Sequence, residues 1–172
     1  MTKILLAYAS KHGSTREVAE AIAETLREHS LAVDLRAAGE VKAVSDYAAV
    51  VLGGALYTGR WHPDARRFLN RHSRALAARP VAVFAMGPHT LEPNEVESSR
   101  HQLDEALARV PELAPFAVAI FGGVVDPTRL HFPFNRMPAS DARDWHAIRE
   151  WTEQLAARLA RPPAPTVAAE HP

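Results

Sequence analysis

The chain has 172 residues, 20 basic and 20 acidic side chains, and no cysteine. That length suits one domain with an adequate core, and the even charge gives no electrostatic case for nucleic acid or an anionic membrane. Without thiols there is no thiol redox centre, cysteine-held iron–sulfur cluster or disulfide framework, so any redox chemistry needs a bound cofactor. No run approaches the roughly 18 apolar residues of a membrane helix. The N-terminus enters a strand after Met1-Thr2-Lys3 with no signal peptide, so a cytoplasmic protein is expected.

The first apolar run, Ile4–Ala9, is continuous, as in a parallel strand covered on both faces. It breaks into Ser10-Lys11-His12-Gly13-Ser14-Thr15. A helix follows over about Ser14 to Glu28, with Val18, Ile22 and Leu26 on one face. A buried strand feeding such a turn makes a phosphate cradle, because free N–H groups and the positive end of the helix dipole converge there. Ser10, Ser14 and Thr15 offer hydroxyls, and Gly13 lets the backbone approach an anion. The plainer alternative is a capping box of Ser14 and Glu17. The turn fits neither the Walker pattern nor G-x-G-x-x-G.

The second run, Ala32–Leu35, alternates apolar and charged residues and suits an edge strand. Only Gly39–Tyr47 separates it from the third run, Ala48–Leu52, so that crossover is abbreviated. The third run empties into Gly53-Gly54-Ala55-Leu56-Tyr57-Thr58-Gly59-Arg60-Trp61-His62. Gly53-Gly54 permits close approach of a flat ligand, and Gly59 permits a reversal. Tyr57 and Trp61 offer aromatic faces, while Arg60 and His62 offer cations or donors; alternatively, the aromatics staple the loop to the sheet.

A second helix begins at Pro63 and includes Phe68 and Leu69. The fourth run, Val81–Met86, leads into Gly87-Pro88-His89-Thr90-Leu91-Glu92-Pro93. A third helix begins near Asn94 and carries Val96, Leu103, Leu107 and Val110. The fifth run, Ala117–Phe121, leads through Gly122-Gly123 into a long connection, Asp126 to Arg136. There Phe132 and Phe134 interleave with Arg129, His131 and Arg136, which favours a functional cover. The last helix spans about Ser140 to Ala160, with Trp145 and Trp151 expected in the core. The tail from Pro162 has no apolar period and is expected to be disordered, which leaves one domain over residues 1–161.

Strict alternation predicts an α/β fold. Its five-stranded parallel sheet is doubly wound in the order 2-1-3-4-5, with helices on both faces and a switch point between strands one and three. The nine histidines include no H-x-x-x-H or H-E-x-x-H pair, so no metal is expected, and no nucleophile elbow appears.

On these residues the chain resembles the flavodoxin family over about residues 3 to 160. Within it the chain is most similar to the branch containing menaquinone-dependent protoporphyrinogen oxidase. Ser10–Arg16 matches that branch's hydroxyl-x-x-Gly-x-Thr-Arg loop, and Gly53–His62 matches its Gly-Ala/Gly-x-x-x-x-Gly-x-x-His loop. The resemblance implies FMN as cofactor, its phosphate held by Ser10, Lys11, His12, Gly13, Ser14 and Thr15. One side of the ring would be flanked by Gly54, Ala55, Leu56, Tyr57, Thr58, Gly59 and Trp61, and the other by Gly87, Pro88 and His89. Arg60, His62 or His89 would supply a proton or stabilise charge beside the ring.

The implied function is flavin-dependent oxidoreduction, in its most concrete form a quinone-coupled oxidation of a protoporphyrinogen-type substrate. The alternatives are an electron carrier docking on a redox partner protein, and a flavodoxin fold that has lost flavin. Two departures from the pattern stand out. His12 replaces the usual hydroxyl residue, and the segment before the last helix is shorter than in the porphyrinogen enzyme. The ring loops carry Arg60, His62, His89, Arg129 and His131 against Glu92 and Asp126. At roughly 1–4 kcal/mol per nearby cation, that balance favours a flavin that takes electrons from an organic substrate, or that binds an anionic one. The segment 128–136 is expected to control substrate access and not cofactor retention.

Overall fold

A computed structural model describes residues 3–161. Strand β1 (Lys3–Ala9) lies at the sheet centre and shows why this sequence makes two layers of helix. Its side chains alternate: Leu5, Ala7 and Ala9 enter one core, Ile4 and Leu6 the other. Helices α1 (Ser14–Glu28) and α4 (Trp145–Leu159) cover the second face with Val18, Ile22, Leu26, Ile148 and Leu155. Helices α2 (Pro63–Ala77) and α3 (Pro93–Leu107) cover the first with Phe68, Leu69, Leu76 and Leu103. All nine are buried; each such aliphatic or aromatic side chain contributes about 1.5–3 kcal/mol.

The remaining strands are β2 (Ala32–Ala37), β3 (Ala49–Tyr57), β4 (Arg60–Trp61), β5 (Val81–Met86), β6 (Ala117–Phe121), β7 (Val124–Val125) and β8 (Ser140–Asp141). The parallel order is β2-β1-β3-β5-β6, which over the five long strands is the predicted 2-1-3-4-5. β4 adds antiparallel to β3, and β7 pairs antiparallel with β8. The edge strand β2 is half-buried along most of its length. After a single 3-10 turn at Ala38–Glu40, the abbreviated crossover is held by Arg79, whose Nη1 donates to the carbonyls of Val44 (2.5 Å) and Tyr47 (2.6 Å).

Four sequence expectations are corrected. The third strand does not end at Leu52; it continues through Gly53 and Gly54 to Tyr57 because β5 runs beside it, with Gly53 opposite Phe84 and Gly54 opposite Ala85. The last helix starts at Trp145 and not near Ser140, because Ser140–Asp141 pairs with β7 and the Asp144 carboxylate accepts the Ala147 N–H at 3.0 Å. Trp145 is therefore not core: it is 43% exposed and stacked under the Arg143 guanidinium, whereas Trp151 packs edge-on against Phe84 and Phe121. Finally, no capping box forms, because Gly13 and not Ser14 precedes the helix and Glu17 turns away to Arg143. The tail from Pro162 lies outside the described residues. Among the described residues, no helix is long and apolar enough to cross a membrane.

Candidate functional site

The switch point between β1 and β3 opens a crevice, and the loops after β1, β3, β5 and β6 meet there. The first loop is shaped by its own side chain: Ser10 Oγ accepts the Gly13 N–H at 3.0 Å, and Gly13 adopts φ 90°, which a residue with a Cβ resists. The turn then delivers the Ser14, Thr15 and Arg16 N–H groups, unpaired by helix geometry, to one place. Two buried polar atoms near it, Thr15 Oγ1 and His12 Nε2, have no partner among the described residues.

The second loop is a hairpin. Thr58 (φ 49°) and Gly59 (φ 78°) are both left-handed, and Tyr57 opposite Arg60 closes a two-residue I′ turn. Lys11 lies 4.9 Å from the centre of the Tyr57 ring and so joins the hairpin to the first loop. Trp61 points the other way. It is 1% exposed, donates its indole N–H to the Gly54 carbonyl at 2.9 Å, and occupies the space a Cβ on Gly54 would need, 2.8 Å away. Gly53 likewise makes room for the Phe84 ring, 1.9 Å from where its Cβ would sit. These two glycines admit the protein's own aromatics, so the expectation that Gly53-Gly54 and Trp61 face a flat ligand is corrected.

At the start of α2, His62 Nδ1 accepts the Asp64 N–H at 3.1 Å. Burial pushes its pKa down, partly opposed by Asp64. Because Nδ1 accepts that bond, the ring proton sits on Nε2. His12 is also pushed down, first by burial and then by Lys11 and Arg129.

These loops enclose one cavity of about 810 Å³. The first loop contributes Ser10, Lys11, His12 and Ser14 to its wall; the hairpin contributes Ala55, Leu56, Tyr57, Thr58 and Gly59; the loop after β5 contributes Gly87, Pro88 and His89; and His62 joins them. Outside the lining are Gly13, Thr15, Gly54, Arg60 and Trp61. Thr15 is buried in the first turn of α1, and Arg60 is on the exposed outer arm of the hairpin. The polar face of α3, with Glu95, Ser98, Ser99 and Gln102, also lines the cavity, as do Val124, Val125, Leu130, Phe134 and Met137 from the long connection. Sequence reasoning missed the α3 residues because an apolar period marks the stripe facing the sheet and says nothing of which polar residues face a cavity.

The long connection divides its residues. Leu130, Phe134 and Met137 turn to the cavity, whereas Arg136 stacks on Phe132. Arg129 Nη1 donates to the His12 carbonyl oxygen and its Nε pairs with Asp126. The expected ring of cations is thereby reduced. Of the five basic residues proposed for it, only His62 and His89 line the cavity, and burial pushes the His62 pKa down.

A family model described as Flavodoxin domain matches residues 5–137. Protoporphyrinogen IX dehydrogenase [quinone] of Escherichia coli K12 is 26% identical over 86 residues, a match covering 49% of this chain and 48% of that protein. The match thus spans about half the length of this curated relative. Among solved structures, oxidised flavodoxin 2 of Bacillus cereus is 22% identical with a TM-score of 0.59, covering 92% of this chain and 98% of that one. The rubredoxin oxygen:oxidoreductase of the anaerobe Desulfovibrio gigas is 16% identical with a TM-score of 0.60, covering 92% of this chain and 37% of that one. These structures speak for the fold alone. With the family model covering most of the chain and the sheet order that the fold requires, the chain belongs to the flavodoxin domain family.

Proposed function

We propose that residues 1–161 form an FMN-binding unit and that the chain is an oxidoreductase acting on a small organic redox substrate, a quinone in the favoured case. The single observation that carries this reading is the continuity of the cavity. It runs from a helix-start loop suited to a phosphate to an apolar wall of Val124, Leu130, Phe134 and Met137.

The residues fit the cofactor's monophosphate. Three N–H groups at the start of α1 and the Thr15 hydroxyl, buried without a partner among the described residues, are donors of the kind a phosphate accepts. When bound, FMN supplies the electron or hydride chemistry. The protein's part is to orient the ring between the Tyr57 hairpin and the Gly87-Pro88 loop. Its His62 Nε2 holds a proton at the cavity wall, and the segment after β6 excludes water. The relative's name, with its quinone acceptor, supports the quinone assignment. Oxidation of a protoporphyrinogen-type substrate is the most specific form of this proposal.

The test is reconstitution of the purified chain with FMN and mass spectrometry of what it retains. Retained FMN with visible flavin bands is expected; FAD, or no flavin at all, overturns the reading. The reduced protein is then expected to be reoxidised by a soluble menaquinone analogue. Reoxidation only by a redox protein, with quinone inert, makes the chain a carrier.

A further inference from the structure

Arg129 stands 117 residues from His12 in sequence, yet its guanidinium rests on the carbonyl of that residue in the loop after β1. The contact is built. Asp126 caps the 3-10 turn Pro127–Arg129, its Oδ1 accepting the Thr128 N–H (3.1 Å) and hydroxyl (2.6 Å), and its Oδ2 pairs with Arg129 Nε at 3.3 Å. These bonds aim the fork along the loop. Nη1 lies 3.6 Å from where a Gly13 Cβ would be, so the fork rests at contact distance over the loop. No described residue occupies Nη2. Asp126 pairs with Nε, but Nη1 meets only a neutral backbone carbonyl, so the guanidinium keeps donor capacity at the positive end of a helix dipole. An anion bound at that helix start gives the arrangement its sense, since guanidinium and phosphate match as planar donor fork and oxygen acceptors. The Thr15 hydroxyl, on a residue 0% exposed in the first turn of the same helix, has no partner among the described residues and is a second, independent donor at that helix start.

We propose that Arg129, carried by the segment after β6, is a phosphate-recognition residue of the loop at Ser10 to Thr15, so that one segment both anchors the cofactor's phosphate and walls the substrate cavity. The proposal builds on the FMN reading and alters the expected role of the segment: its arginine serves cofactor retention, and its apolar residues serve the substrate.

The experiment compares FMN with riboflavin, which lacks the phosphate, on the wild-type chain, Arg129→Ala and Arg129→Gln. The preference for FMN over riboflavin is expected to fall about ten- to a hundredfold in both variants, the range for losing a hydrogen bond to a charged group, with riboflavin affinity unchanged. An unchanged preference, or equal weakening of both ligands, overturns the proposal. Inorganic phosphate at matched ionic strength is a second probe that does not depend on flavin. It is expected to raise the melting temperature of the wild type and not of Arg129→Ala, and an equal rise in both overturns the assignment. Should the wild type bind neither flavin yet keep this phosphate difference, the FMN reading fails while the role of Arg129 stands.

Discussion

Thr15 is fully buried in the first turn of α1, and its hydroxyl has no hydrogen-bond partner among the described residues. Leaving such a group unpaired costs about 1–3 kcal/mol, and replacing it by a methyl of the same shape removes that cost. Thr15→Val is therefore expected to stabilise the flavin-free protein by about 1 kcal/mol and to weaken FMN binding about tenfold. Denaturant titration and flavin titration on one preparation check both halves. A less stable flavin-free variant would mean that the hydroxyl has an internal partner. The same scale separates Trp61 from Tyr57. Both are aromatics of one motif, but Trp61 is sealed over Gly54 while Tyr57 is 40% exposed at the cavity. Only the second is placed to touch a ligand.

The β3–β4 hairpin carries one wall of the site on two left-handed residues. Gly59 accepts that conformation readily, but Thr58 is β-branched, and a left-handed residue with a Cβ costs about 1–2 kcal/mol. Asn-Gly is the preferred pair for this turn. Thr58→Asn is expected to raise stability by about 0.5–1 kcal/mol, read as a higher denaturant midpoint with an unchanged slope. A lower midpoint would show that Thr58 contributes contacts outweighing its backbone strain. Elsewhere, Arg143 joins two elements the sequence holds far apart, pairing with Glu17 on α1 and Asp141 on β8, both at 2.8 Å. The guanidinium beside Asp141 holds that carboxyl below its usual range. This bridge ties the far end of the long connection to the helix whose start forms the proposed cradle.

Across the molecule, His12, His62 and His72 all sit below the ordinary histidine value of 6.5, with burial the largest cause at each. Near that pH the folded state binds fewer protons than the unfolded chain, so stability rises with pH. The contribution is complete above 6.5 and is lost as pH falls through the depressed folded values. Denaturant midpoints are expected to drop between about pH 7 and about pH 5. His72 lies away from the cavity, 8% exposed against Phe68. His72→Leu is expected to make that decline shallower by removing one titrating group. An identical slope would show that its burial does not govern the proton.

The five long strands, the two-sided helical cover and the edge position of β2 were legible in the sequence because they rest on local periods. Each strand's alternation or continuity, and each helix's i, i+4 stripe, is written within one segment. The loop after β1 was legible for the same reason, since strand, glycine and hydroxyl turn, and helix are contiguous. Registers between distant segments were not. The fit of Phe84 into Gly53 and of Trp61 over Gly54 depends on β5 running beside β3, and the start of α4 depends on β8 pairing with β7. The polar wall of α3 and the reach of Arg129 to His12 likewise exist only once the sheet order has set those elements side by side. Local propensity determined the parts and their order. Long-range packing decided which side chains face the cavity, because a side chain's direction is settled by the neighbour that fills the opposite side.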